Sequence, residues 1–302
     1  MTGRTDNAVL GILISIVALV LFDFMALIIK AMSVRYAAAE LSAYRNLFGL
    51  VPSAVALWMT AAWRRGDRSL RMRQWRLAVA RWLAVTLAQL LFYLSLGLMA
   101  FATATTISYT TALFTTALAV PLLGERVGVI RWVAVAIGFV GVVLIMRPGT
   151  EDFAWVMLLP FGASALYAYT GVSARLVDEG VPTPLFNLYS SGAAAVGSVG
   201  LAFVLGGFTP LASWQDAGMI LLMGLFGGSA VLCLVISFRM TEPSNLAPFS
   251  YFGIPIAFVF GWLFFDEAPF DTLMPGALLI VGGGLMIVFR ERRLRRGGGN
   301  PE

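Results

Sequence analysis

The sequence predicts an all-α integral membrane protein, with ten transmembrane helices arranged as two inverted five-helix repeats. Three observations predict it. The chain of 302 residues is 59% hydrophobic and 12% charged, with mean hydropathy +0.86, whereas soluble domains are about 45–50% apolar and about 25% charged. Its apolar residues form ten runs, each near the roughly 20 residues that cross a bilayer. Passages of the first half also recur in the second, 142 residues on.

The spans are read at 8–30, 37–63, 75–97, 102–123 and 128–147, then at 153–175, 184–207, 215–238, 244–265 and 271–289. The first follows Arg4 as a secretory leader would. It is long enough to span, however, contains Asp23 and lacks a small-x-small cleavage site, so it reads as a retained helix. The second contains Arg45 and Pro52 and runs into an arginine-rich loop, 64–76. Only Leu98-Met99-Ala100-Phe101 separates the third from the fourth, which allows a tight hairpin, and Gly124-Glu125-Arg126-Val127 turns the fourth into the fifth. Pro52, Pro121, Pro160, Pro248 and Pro255 lie inside or near span ends. The carbonyls they free need partners, so those helices should face protein or a cavity.

Basic residues set the orientation. With the N-terminus inside, sixteen arginines fall on the cytoplasmic side, in the loops and the tail from Arg290 to Arg296, while Lys30, Arg35 and Arg147 fall outside. Both termini are therefore expected in the cytoplasm, in a multi-pass protein of the cytoplasmic (inner) membrane. The basic loop and tail can also meet anionic lipid headgroups.

At an offset of 142, Ala88 matches Ala230, Ser95 matches Ser237, Ser108 matches Ser250, Tyr109 matches Tyr251, Glu125 matches Glu267 and Gly141 matches Gly283. Two homologous halves of five spans must point opposite ways, because five is odd. Such halves, here 1–147 and 148–302, place a substrate near the midplane between them.

The stretch "YTTALFTTALAVPLLGERVGVIRWVAVAIGFVGVVLIMRPG" and its partner "SYFGIPIAFVFGWLFFDEAPFDTLMPGALLIVGGGLMIVFRE" resemble the paired EamA-type repeats of the drug/metabolite transporter superfamily. The resemblance covers essentially the whole chain. It implies a ten-helix carrier working by alternating access, with both termini cytoplasmic, for substrates ranging over amino acids, other metabolites, nucleotide conjugates and drugs. One departure stands out: Asp266-Glu267 replaces the pair Gly124-Glu125, which puts the second turn's geometry in question.

Composition narrows the chemistry. A single cysteine, Cys233, and no histidine leave no intramolecular disulfide and no His/Cys metal cluster, so no cofactor is expected. The net charge of +5 comes from arginines between hydrophobic runs, which suits a membrane surface and not nucleic acid. An integral-membrane transferase would need a cluster of acids, bases or nucleophiles; Asp266, Glu267 and Asp271 are the nearest to one. A carrier is expected instead of an enzyme, with a homodimer possible.

Candidate site residues follow from helical spacing. On the fourth span Thr105, Ser108, Tyr109 and Thr116 share a face, matched in part by Ser250 and Tyr251; this face is either a cavity wall or helix-to-helix glue. On the third, Trp82, Thr86, Gln89 and Tyr93 form a stripe, with Gln89 and Tyr93 as pocket wall and Trp82 as an interfacial anchor. Tyr167 on the sixth is a further candidate. Asp23 is the one acidic residue deep within a span, and an intramembrane charge is a functional hypothesis by default. Arg45 lies at a comparable depth, so an Asp23–Arg45 ion pair is expected, either structural or part of an ammonium or proton site. Glu125 and Glu267 end the fourth and ninth spans, where gating or helix capping suits them. The mixture of phenol, amide and hydroxyl groups suits an amphipathic small-molecule solute, foremost an amino acid or amino-acid derivative; a drug or a nucleotide or sugar conjugate is the alternative.

Overall fold

The computed structural model describes residues 8–59, 75–124, 128–147, 154–173, 176, 183–240, 249, 251–267 and 270–296. Among these there is no strand. The helices are α1 (Ala8–Met32), α2 (Ala38–Met59), α3 (Trp75–Leu98), α4 (Phe101–Ser108), α5 (Thr111–Leu123) and α6 (Val129–Met146), then α7 (Leu158–Ser173), α8 (Thr183–Val204), α9 (Trp214–Met240), α10 (Gly253–Phe265) and α11 (Phe270–Arg296). Five segments are long and apolar enough to cross a membrane, Val9–Met32, Val79–Leu98, Phe101–Leu123, Trp155–Ser173 and Trp214–Leu234. Four shorter apolar segments lie in α6, α8, α10 and α11, and α2 completes ten. The outward faces suit lipid: Val9, Leu13 and Val17 lie four residues apart along α1 and are all exposed.

The helices pack as two inverted repeats require. The first half's α1 packs on the second half's α9, and its counterpart α7 packs on α3. Likewise α2 meets α9 as α8 meets α3, and α1 meets α10 as α7 meets α4 and α5. Helices that lie across from their own counterparts also touch: α2 with α8, α4 with α10, and α6 with α11. This last contact is close because of glycine. A Cβ on Gly141 would sit 2.5 Å from the Gly276 carbonyl oxygen, and one on Gly276 would collide with the Gly141 carbonyl.

The fourth span is not the continuous helix that the stripe assumed. It breaks at Tyr109 and Thr110, where the amides turn back to carbonyls three residues earlier, Tyr109 N–H to Thr106 O at 3.1 Å and Thr110 N–H to Ile107 O at 3.0 Å. Hydroxyls satisfy carbonyls around the break: Thr110 Oγ1 donates to Ile107 O and Thr111 Oγ1 to Ser108 O, each at 2.7 Å. Serine and threonine make this local bond readily, which is why they bend helices. The second half repeats the device, since Phe252 N–H reaches Phe249 O at 3.0 Å and α10 begins at Gly253.

The turn placed in question by Asp266 also keeps its form. Gly124 closes α5 at φ 68° and Asp266 closes α10 at φ 54°, both left-handed. Glycine enters that region freely, and aspartate is among the few other residues that tolerate it.

Candidate functional site

A cavity of about 580 Å³ lies between the two halves. α1 contributes Phe22, Asp23 and Met25; α2 contributes Arg45 and Asn46; α3 contributes Trp82, Gln89 and Tyr93. Thr105 and Ser108 enter from α4, Tyr109 from the break, and Tyr167 from α7. Tyr109 sits at the single turn of i to i−3 hydrogen bonds between α4 and α5.

Asp23, Arg45, Gln89, Tyr93, Thr105, Ser108, Tyr109 and Tyr167 are thus brought to one cavity. Tyr251 is not among its lining side chains. It is buried behind Tyr109, with ring centroids 6.1 Å apart, and its hydroxyl packs against Gly284 of α11. Ser250 and Glu125 lie outside the described residues, as does most of the arginine-rich loop. Thr116 is not on the cavity wall either; its hydroxyl bonds back to Ala112 O at 3.3 Å.

Two expectations are corrected. Asp23 and Arg45 share the cavity but form no ion pair. Asp23 is 6% exposed and its Oδ2 has no hydrogen-bond partner, while Arg45 Nη1 donates to Asn46 Oδ1 at 2.9 Å and Nε meets the Met25 sulfur at 3.4 Å. Both groups line the same cavity, with no salt bridge between them. Trp82, expected at the membrane interface, instead lines the cavity and packs against Gly197 of α8.

An amide network lies behind Arg45. Asn46 Nδ2 donates to Gln89 Oε1 at 2.7 Å and to Ser198 Oγ at 3.2 Å, and Ser42 Oγ donates to Gln89 Oε1 at 3.1 Å. It ties α2, α3 and α8 through buried polar groups, each with a partner, as a low-dielectric interior requires. Sequence reading found Gln89 and missed Ser42, Asn46 and Ser198. The signal was present, since Ser42 and Asn46 are four apart on one helix face.

One end of the bundle is held by polar ties. Lys30 Nζ donates to Glu267 Oε1 and to Met99 O, both at 2.7 Å, and Glu267 Oε2 accepts the Phe101 N–H at 2.8 Å. Glu267 therefore caps the N-terminus of α4, a place where a carboxylate is favoured, and not its own helix. Arg35 and Tyr36 both donate to Asp216, at 3.1 and 2.9 Å, and Glu40 accepts the Thr209 N–H. The cavity extends toward the other end, to Val79 and Arg81 in the first turns of α3. There Arg81 donates to Ser173 Oγ at 2.7 Å and to Thr170 O.

The profile of the EamA-like transporter family matches residues 9–147 and 154–289. The chain belongs to the EamA-like transporter family. Its two matched stretches are the two five-span halves, with the cavity between them. Among relatives, the chain is 30% identical over 175 residues to a riboflavin transporter of Rhizobium johnstonii, covering 58% of this chain and 57% of that one. It is 30% identical over 193 residues to an S-adenosylmethionine uptake transporter of Rickettsia bellii, covering 63% and 65%. A riboflavin transporter of Brucella anthropi matches at 24% over 256 residues, covering 79% and 85%. The chain thus spans less than two thirds of the length of the first two relatives. A solved crystal structure superposes with a TM-score of 0.65 at 20% identity, covering 94% of this EamA-like chain and 98% of its own, which shows the fold.

Proposed function

We propose that this EamA-like protein is a secondary transporter that carries a small organic metabolite through the central cavity by alternating access, and that the metabolite bears a positive charge. The observation that carries the reading is Asp23, a carboxyl buried at 6% exposure in a cavity wall, with no salt bridge to a cation among the described residues. An unpaired carboxylate in such surroundings is costly, and a cationic solute would offset that cost. The rings of Phe22, Trp82 and Tyr109 in the same cavity add apolar and cation-π surface.

Amino-acid derivatives remain the favoured class. S-adenosylmethionine, the substrate in one relative's name, is an amino-acid derivative with two positive centres and an aromatic base, and it fits the charge and ring content of this cavity. Riboflavin, named for other relatives, is uncharged and would leave Asp23 unpaired. The ties at Lys30–Glu267 and Arg35–Asp216 support a state closed at the end assigned to the outside. In this reading the halves 1–147 and 148–302 are the moving units, both termini are cytoplasmic, and the solute leaves chemically unchanged.

The test is uptake by purified protein in liposomes of radiolabelled S-adenosylmethionine, riboflavin and a pool of amino acids, scored by counterflow. Saturable exchange of the cationic solute, lost in Asp23→Asn, is expected. Exchange of riboflavin alone would replace the proposed substrate class.

A further inference from the structure

Arg45 is a charge that the cation site does not use. Its guanidinium lines the cavity from α2, and its protein partners are two: the Asn46 amide oxygen at 2.9 Å and the Met25 sulfur at 3.4 Å. An arginine carries five N–H donors, so three of them have no acceptor among the described residues. A thioether is a weak acceptor, and no carboxylate among the described residues pairs with the charge. The packing makes room for this group. On α9, a Cβ at Gly227 would stand 2.8 Å from Arg45 Nε, 3.3 Å from Nη2 and 2.6 Å from the Met25 sulfur. Asn46, in turn, is buried and fixed by Gln89 and Ser198, so Nη1 is oriented from behind while Nη2 stays free.

We infer that Arg45 forms an anion subsite of the cavity that takes a carboxylate of the transported solute, with Asn46 and Gly227 as positioning residues. This rests on the proposed carrier function and adds a second charge to its substrate. Guanidinium N–H groups match a carboxylate in pairs. A phosphate dianion fits less well, because Asp23 shares the cavity and repels it, and the other cavity arginine, Arg81, already donates to Thr170 and Ser173. The solute is therefore a molecule that carries both charges, its carboxylate at Arg45 and its cation at Asp23.

The probes are S-adenosylmethionine and its decarboxylated analogue, which keep the same base and sulfonium. Wild-type protein is expected to prefer the carboxylated form by at least about tenfold, the factor a charge-assisted hydrogen bond supplies. Arg45→Gln should bring that ratio to about one while uptake of the decarboxylated form persists. Asn46→Ala and Gly227→Ala should lower the ratio with Arg45 still present, which a merely structural role would not do. An unchanged ratio in Arg45→Gln overturns the subsite. As a substrate-independent arm, thermal unfolding of wild type and Arg45→Gln is followed with amino acids, succinate and nicotinate beside their amides. Stabilisation by carboxylates alone, abolished in Arg45→Gln, keeps the subsite even where wild type transports neither probe, in which case the proposed substrate falls. No stabilisation by any carboxylate, with neither probe transported, overturns both.

Discussion

Lys30 Nζ lies 2.7 Å from Glu267 Oε1, and this single contact joins the C-terminal end of α1 to that of α10 across 237 residues of sequence. The pair is shielded, with side chains 12% and 28% exposed, and the same carboxylate holds the first amide of α4. Removing one member of such a pair leaves the other charge unsatisfied, at a cost of about 1–3 kcal/mol for a partly buried site. Lys30→Met and Glu267→Gln should each lower the melting temperature in detergent, and the double variant should lose less than their sum. A Thr105→Cys reporter in a Cys233→Ser background should gain labelling by an impermeant thiol reagent from outside when Glu267 is changed. Additive losses and unchanged labelling would remove the pair from gating.

Asp23→Asn separates function from stability. The amide matches the carboxyl in size and removes the buried charge, so the melting temperature should hold or rise. Exchange of cationic solutes should fall by at least about tenfold, the value of a charge-assisted contact. A variant that melts early and still transports would make Asp23 structural.

Gly253 is the notch into which Tyr109 fits. A methyl group there collides with the phenolic oxygen, so Gly253→Ala should cost about 1–3 kcal/mol as overpacking. Tyr109→Phe removes that oxygen, and the double variant should recover part of the loss. Thermal unfolding of the four forms measures this coupling. Equal melting in Gly253→Ala and wild type would show that the ring can turn aside freely.

Gly141 and Gly282 offer a controlled comparison. A side chain on Gly141 meets the α11 backbone, which cannot rotate away, whereas one on Gly282 meets nothing within 4 Å. Gly141→Ala should lower the melting temperature, and Gly282→Ala should leave it unchanged or raise it slightly, by up to about 1 kcal/mol of helix propensity. The reverse order would contradict the close packing of α6 on α11.

The polar stripe on the fourth span shows how far sequence reading reached. Spacing alone grouped Thr105, Ser108 and Tyr109, and these do face one cavity. The same spacing carried the stripe on to Thr116, which does not line the cavity; between them a turn of i to i−3 hydrogen bonds at Tyr109 and Thr110 interrupts the α-helical register that the spacing assumed. Asp23 and Arg45 illustrate a second limit. Their depths along the helices were readable at 1.5 Å per residue, but depth does not fix the rotation of a helix about its axis, and rotation decides whether two side chains meet. Asn46 was passed over because the second span was read for its charge at Arg45, and its partners Gln89 and Ser198 lie 43 and 152 residues away in sequence.

Composition and the 142-residue echo were enough to determine a ten-span membrane protein with two inverted halves, since hydrocarbon thickness and the odd number of spans per half leave little freedom. The partners were decided by tertiary structure alone: Lys30 with Glu267, Asn46 with Gln89 and Ser198, and Arg45 beside Gly227. Hydropathy and helical period are local properties of the chain, whereas those contacts join residues 43 to 237 positions apart and depend on how ten helices pack together.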